Sequence, residues 1–266
     1  MKARILRENS HRDIRAEVIV KRLGAEESSN NPDLIIGTGA SFSQSILEEK
    51  ALKVATTMPE AHKDKFDIII TPSYEPHEAG DNIITTIGLV NSVNKEILEE
   101  KGGDKKIYAV LVGGKHAVGN ITIEDANKLA DIINGIEGAS FLVTNCSRTE
   151  KRTFEALKEQ IEGEFYDYKE NRETENPYLK MLDKADGIIV TGDSVRMISE
   201  SCSSGKPVFI YPPLDKPFQY EPLWKELKDG GFARILDKNN DFNFEPEKPL
   251  DEAGRVAEII RKKLLK

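Results

Sequence analysis

The stretch NPYLKMLDKADGIIVTGDSVRMISESCSSGKPVFIY, Asn176–Tyr211, decides the fold. Tyr178–Lys184 reads as a short helix. Gly187–Thr191 (GIIVT) is a continuous apolar run of strand length, and the polar residues Thr191-Gly192-Asp193-Ser194 follow it. A helix then opens with Asp193 or Ser194 as its cap and buries Val195, Ile198, Ser199 and Cys202. Gly205 stops it, and Pro207–Tyr211 (PVFIY) resumes a strand. Upstream, the strand pattern Ile107–Val112 ends in Gly113-Gly114-Lys115. Thr122-x-x-Asp125 is a capping box opening a helix with Ala126, Leu129, Ala130 and Ile133 on one face. Ala139–Thr144 is a strand, and Phe154, Leu157 and Ile161 mark the next helix. Downstream, Leu223, Trp224 and Leu227 mark a helix and Ala233–Leu236 a strand. Five strands alternating with five helices predict a parallel, doubly wound α/β sheet.

The first 105 residues are less regular. Ile14–Leu23 reads as a helix, and Asp33–Ile36, Leu52–Ala55 and Phe66–Ile70 read as buried strands. Val90, Val93, Ile97 and Leu98 have helical spacing. The charge run Glu99–Lys106 with Gly102-Gly103 reads as a linker. These boundaries give a first α/β domain over residues 1–104, a second over 105–249, and a closing helix over 250–266 that returns to the first domain. Asp237–Pro249 reads as irregular. Two such domains leave a cleft, and ligands of such sheets bind beyond the carboxyl ends of the strands.

Of 266 residues, 38 are Lys or Arg and 46 are Asp or Glu, a net charge of −8, which argues against nucleic acid as a partner. No apolar run reaches the roughly 18 residues of a membrane span. The polar stretch after Met1 predicts no secretory leader. Cys146 and Cys202 form neither a CxxC pair nor a disulfide framework. This fits a reducing, cytoplasmic setting and gives no cysteine-based metal site. The GxxxxGK[ST], GxGxxG, GxSxG and HExxH patterns are absent.

Three places could carry chemistry. Gly113-Gly114-Lys115 after a strand is either a phosphate-binding turn or an ordinary tight turn. Glu200 lies about 140° from Val195 at 100° per residue, off the stripe its helix buries. It is either a solvated carboxylate or an acceptor for a ribose diol, with the helix start at Asp193 and Ser194 facing a diphosphate. Lys115, Arg148, Arg196 and Lys206 are candidate cations for such a diphosphate. Among titratable residues of the first domain, His11 and Glu75 read equally as catalytic bases or as loop residues, and His62 and His77 as surface groups. The last helix, basic toward its end, fits either a peripheral contact with an anionic membrane or a core helix whose charges suit its dipole.

The segment Asn176–Tyr211 resembles the signature of the Elm-type mitochondrial fission protein family, which is related to GT-B glycosyltransferases. Pro32–Gly39 (PDLIIGTG), Phe66–Asn91, Val110–His116 (VLVGGKH) and Thr144–Thr149 (TNCSRT) resemble further motifs of that family. The same carboxyl-terminal block is similar to the lipid-linked N-acetylglucosamine transferase of peptidoglycan synthesis. The resemblance implies a GT-B-like fold of two Rossmann-like parallel-sheet domains, the amino-terminal one reduced. It also implies a UDP-sugar in the cleft. Glu200 would hold the ribose, and Gly113 and Gly114 would face the diphosphate. Thr191, Asp193, Ser194 and Arg196 would lie at the phosphate–sugar end, with Asn176 and Tyr178 near the base. No metal or other cofactor is implied. The chain departs from the family at Arg15, Tyr74-Glu75 and Ser147-Arg148, where the family has other residues, and in a short Ala25–Asn31 segment that trims the amino-terminal acceptor half. The expected function is a metal-independent glycosyltransferase using a nucleotide-diphosphate sugar. The alternative is a non-catalytic interaction protein that inherits the cleft. An epimerase needing a bound dinucleotide is disfavoured by the missing GxGxxG.

Overall fold

The computed structural model describes residues 1–7, 13–93, 105–115, 120–170, 176–214 and 219–264. The chain divides into two compact units, Met1–Ser92 with Asp251–Lys266, and Val93–Leu250. Most of the expected linker, with Ile97 and Leu98, lies outside the described residues. The described residues 90–93 are not helical.

The first unit is a six-stranded sheet of β1 (Lys2–Leu6), β2 (Glu26–Glu27), β3 (Leu34–Gly37), β4 (Leu52–Ala55), β5 (Ile68–Pro72) and β6 (Ile83–Thr86). The order is β2-β1-β3-β4-β5-β6, and every pairing is parallel. Its strands are short, and its described helices are α1 (Ile14–Leu23), the one-turn α2 (Gln44–Leu47) and the closing α8 (Glu252–Leu264). The reduction therefore falls on the helical layer, not on the strand count. Asp13 caps α1 by accepting the Ala16 amide, and Gly24 ends it in the left-handed conformation (φ 66°). Ala16, Ile19, Val20 and Leu23 of α1 share one core with Val256, Ala257 and Ile260 of α8 and with Leu34, Ile36, Val54 and Ile68 of the sheet. The other sheet face is covered by Leu47, Phe66, Phe42 and Met58. Strands with apolar side chains on both faces are what a parallel sheet covered on two sides requires.

The second unit is a parallel sheet of β7 (Lys106–Val112), β8 (Ala139–Asn145), β9 (Glu164–Tyr166), β10 (Gly187–Thr191), β11 (Val208–Tyr211) and β12 (Arg234–Ile235). Its helices are α3 (Ile123–Asn134), α4 (Lys151–Gln160), α5 (Tyr178–Lys184), α6 (Val195–Ser203) and α7 (Glu221–Asp229). The strand order β12-β11-β10-β7-β8-β9 reverses direction between β7 and β10. That is the doubly wound order, whose ligands sit at the carboxyl ends of the two strands flanking the reversal. Both halves of the capping box exist: Thr122 accepts the Asp125 amide, and Asp125 accepts the Thr122 amide. Ala126, Leu129, Ala130 and Ile133 of α3 join Val110, Val112, Phe141, Val143, Phe154 and Leu157 in the main core. The irregular residues 237–249 send Phe242 against Tyr108 and Phe209, with ring centroids 5.7 and 4.8 Å apart.

Candidate functional site

β7 and β10 run side by side in the parallel sheet, with Leu111 opposite Val190. The turns that follow them, Gly113–Lys115 and Gly192–Ser194, therefore meet at the reversal point. They meet through side chains. The Gly113 amide donates to Thr191 Oγ1 (2.8 Å) and the Gly114 amide to Asp193 Oδ2 (2.6 Å). The Thr191 hydroxyl donates to Asp193 Oδ1 (2.5 Å). A Cβ on Gly113 would lie 2.1 Å from Asp193 Oδ2, and one on Gly114 would lie 2.3 Å from the Arg148 carbonyl carbon. Only glycine fits at either position, and what demands it is the chain's own packing. The two amides expected to face a diphosphate are occupied by Thr191 and Asp193. The turn after β8 closes the other side: Thr149 donates to the Gly113 carbonyl (2.6 Å), and the Lys115 amide donates to the Arg148 carbonyl (3.1 Å).

Asp193 has no exposed surface. Burial pushes its carboxyl up to about 6, against the opposing pull of the hydrogen bonds from Thr191 and Gly114 and of the Arg148 guanidinium. Ser194 is the cap residue of α6 but makes no side-chain cap bond, so its hydroxyl does not occupy the positive end of the helix.

Glu200, off the expected stripe, is nevertheless only 7% exposed, and Ser199, Ser201 and Cys202 of the same helix are buried as well. Burial there raises the Cys202 thiol to about 12, so that thiol is inert at neutral pH. Glu200 Oε1 accepts from Arg196 Nε (3.0 Å), whose side chain is 61% exposed. The Tyr178 hydroxyl lies beside the same carboxylate, which with burial pushes the phenol well above its ordinary range. No hydrogen bond of regular geometry joins the two. Asn176 is exposed and accepts the Tyr178 amide through Oδ1 (3.0 Å), so it shapes the entry to α5. Glu200, Arg196 and Tyr178 thus form one cluster, and Gly113, Gly114, Thr191, Asp193 and Arg148 form another; Asp193 and Ser194 lead from the second into α6.

Lys115 and Arg148 are exposed, and neither side chain is in an ion pair among the described residues. Lys206 is otherwise engaged. It donates to the carbonyls of Asp183 and Ala185 at the end of α5, and burial lowers its pKa. It is a helix cap, not a free cation for a ligand. In the first unit, Glu75 lies in the turn after β5, where its carbonyl accepts from His77 Nδ1 (2.6 Å). His11 and His116 lie outside the described residues. Arg15 donates to the Thr56 carbonyl (2.8 Å), and Asp13 accepts from the Thr56 hydroxyl (3.1 Å). Sequence reasoning passed over Asp13, although an aspartate directly before a helical apolar pattern is the ordinary signal of a cap. It also passed over Thr149, whose hydroxyl reaches the Gly113 carbonyl 36 residues away.

A depression of about 730 Å³ lined by Lys106, Tyr108, Asp131 and Phe242 sits at the amino end of β7, and no expected site residue lines it. It is at the wrong end of the strands for a ligand of this fold. Among the described residues, no cluster of His, Cys, Asp and Glu side chains is arranged to hold a metal ion. Among them, too, no helix is long and apolar enough to cross a membrane.

The chain is 22% identical over 278 residues to the Arabidopsis thaliana mitochondrial fission protein ELM1, an alignment covering 88% of this chain and 64% of that protein. It is 30% identical over 167 residues to the uncharacterized protein RP120 of Rickettsia prowazekii, covering 59% of this chain and 46% of the other. The chain thus spans less than two thirds of the length of either relative. Among solved structures, it superposes with TM-score 0.55 at 13% identity on a Listeria monocytogenes protein proposed to be a UDP-N-acetylglucosamine 2-epimerase, covering 96% of this chain and 80% of that one. The glycotransferase of kitacinnamycin gives 0.54 at 12%, covering 99% and 98%. The Neisseria meningitidis UDP-GlcNAc 2-epimerase bound to UDP-GlcNAc gives 0.50 at 12%, covering both chains completely. These likenesses show the fold alone, which is GT-B-like, with two parallel-sheet α/β domains. The model of the family described as mitochondrial fission ELM1 matches residues 2–264, and the chain belongs to that family.

Proposed function

We propose that the second unit binds a nucleoside diphosphate sugar, with uridine the preferred nucleoside, and that the protein is a metal-independent glycosyltransferase. The observation carrying this reading is Glu200. A carboxylate with 7% exposure, in the second turn of a helix that starts at the reversal point of a doubly wound sheet, has no structural need to be an acid. Its ion-pair partner Arg196 is mostly exposed and can leave at little cost. Glu200 accepts the ribose hydroxyls, while the amino end of α6, which the Ser194 hydroxyl does not cap, takes the diphosphate together with Lys115 and Arg148. Gly113, Gly114, Thr191 and Asp193 then shape the turn instead of touching phosphate through its amides. In the transfer, an acceptor hydroxyl attacks the anomeric carbon, the carbon–oxygen bond to the β-phosphate breaks, and the cations neutralise the departing diphosphate. His11 or Glu75 takes the acceptor's proton.

The second reading, a non-catalytic interaction protein, is favoured by one observation: the glycine amides are already satisfied within the chain. The fold does not choose among transferase, epimerase and scaffold. Thermal unfolding with and without UDP first separates the scaffold from the two nucleotide-binding readings. Ligand that binds the native state at 100 times its Kd stabilises by about 2.7 kcal/mol, so UDP raises the melting temperature by several degrees, and Glu200→Ala abolishes the shift. No response to any nucleotide favours the scaffold. Release of UDP from UDP-sugars in the presence of cell-envelope acceptors then reports turnover.

A further inference from the structure

The Tyr178 hydroxyl is out of place in a well-packed unit. Its oxygen is fully buried and, among the described residues, makes no hydrogen bond of regular geometry. A phenylalanine would fill the same space without stranding a polar atom, and buried groups of this kind are rare in native structures unless something outside the chain completes them. The ring is held by its backbone: Tyr178 is the first residue of α5, and its amide is fixed by Asn176 Oδ1 at 3.0 Å. The hydroxyl is beside Glu200, whose Oε1 is bound by Arg196 Nε at 3.0 Å. Burial and the adjacent carboxylate keep the phenol protonated at neutral pH, so it retains a hydrogen to donate. A carboxylate that only accepts and a phenol that donates are together complementary to a vicinal diol, in which each hydroxyl offers one hydrogen and two lone pairs.

Building on the nucleotide reading above, we infer that Tyr178 is a specificity-determining residue that reads the ribose hydroxyls together with Glu200, so that the site selects ribonucleoside over deoxyribonucleoside diphosphates. A deoxyribose leaves the phenol stranded as in the free protein, or leaves Glu200 one donor short. Sites built around buried polar groups reject the analogue that fails to pair them.

Calorimetric titration of the full chain with UDP, 2′-deoxy-UDP and 3′-deoxy-UDP tests this, on the wild type and on Tyr178→Phe. The wild type binds UDP roughly tenfold tighter than at least one deoxy analogue. Tyr178→Phe loses about that factor for UDP and keeps its affinity for the analogue, so the ratio approaches one. Without ligand, Tyr178→Phe melts no lower than the wild type, because no bond within the protein is removed. If both proteins bind UDP with the same discrimination, or if the variant melts several degrees lower on its own, Tyr178 is a structural residue and this inference falls while the nucleotide reading stands. If the wild type binds none of the three, both fall.

Discussion

Asp193 shows how one side chain can be legible in position and illegible in role. The sequence places it at a strand-to-helix corner, and there it is. Its carboxylate, however, turns back onto the Gly114 amide 79 residues earlier in the chain, a pairing no local pattern encodes. Burial lifts its pKa from 3.8 to about 6. Between those values the folded chain holds a proton that the unfolded chain has released. Stability from this group therefore falls as pH rises from about 4 to 6 and is level above, by roughly 3 kcal/mol for a shift of two units. Asp193→Asn removes that slope: the variant's unfolding free energy, relative to the wild type, should rise by up to about 3 kcal/mol between pH 4 and pH 7 in urea titrations. A difference independent of pH would show that the carboxylate is not the source. The glycine is the other half of the same contact. Gly113→Ala drives a methyl to 2.1 Å from Asp193 Oδ2 and should cost about 2 kcal/mol or more. Part of that loss should return when Asp193 is also changed to Gly; simple additivity of the two would mean the clash is relieved elsewhere.

At the scale of elements, what the sequence announces is what its own neighbours settle. The capping box, the α3 stripe and the central strands are all short-range patterns, and α1, α5, β4 and β10 match their expected limits. Edge strands are different. β9 has three residues and β2 has two, too few for any periodicity, and they exist because a neighbouring strand offers unpaired backbone groups. The apolar spacing of Val90 and Val93 misleads for a related reason: Val90 is buried in the core of the first unit while Val93 belongs to the second, so the pattern does not describe one helical face. Even the capping box holds more than its motif shows. Asp125 also accepts the Leu214 amide at 2.8 Å and the Tyr211 hydroxyl at 3.3 Å, tying α3 to the end of β11. Thr122→Ala should therefore cost about 1 kcal/mol, the usual worth of a cap, and Asp125→Ala about 2–3 kcal/mol, because it also strands the Leu214 amide. Equal losses in denaturant unfolding would show that Asp125 does nothing beyond the cap.

For the molecule as a whole, the decisive fact is that one unit is assembled from both parts of the sequence. Residues 251–266 follow the entire second unit, yet Val256, Ala257 and Ile260 are at most 2% exposed against the core of the first. Arg255 donates to the Thr85 carbonyl and Lys263 to the Asp67 carbonyl of the same unit. Burying Val256 and Ile260 with Ala253 and Ala257 contributes on the order of 5 kcal/mol, comparable to the whole stability of a small domain. Among the described residues, the main core of the second unit includes no residue of this helix. Removal of residues 251–266 should thus unfold the first unit selectively. Hydrogen exchange should show β3, β4 and β5 losing protection, while β7, β8 and β10 keep theirs. Retained protection in β3–β5 would mean that α1 alone closes that core, and loss of protection throughout would mean that the two units fold as one cooperative body.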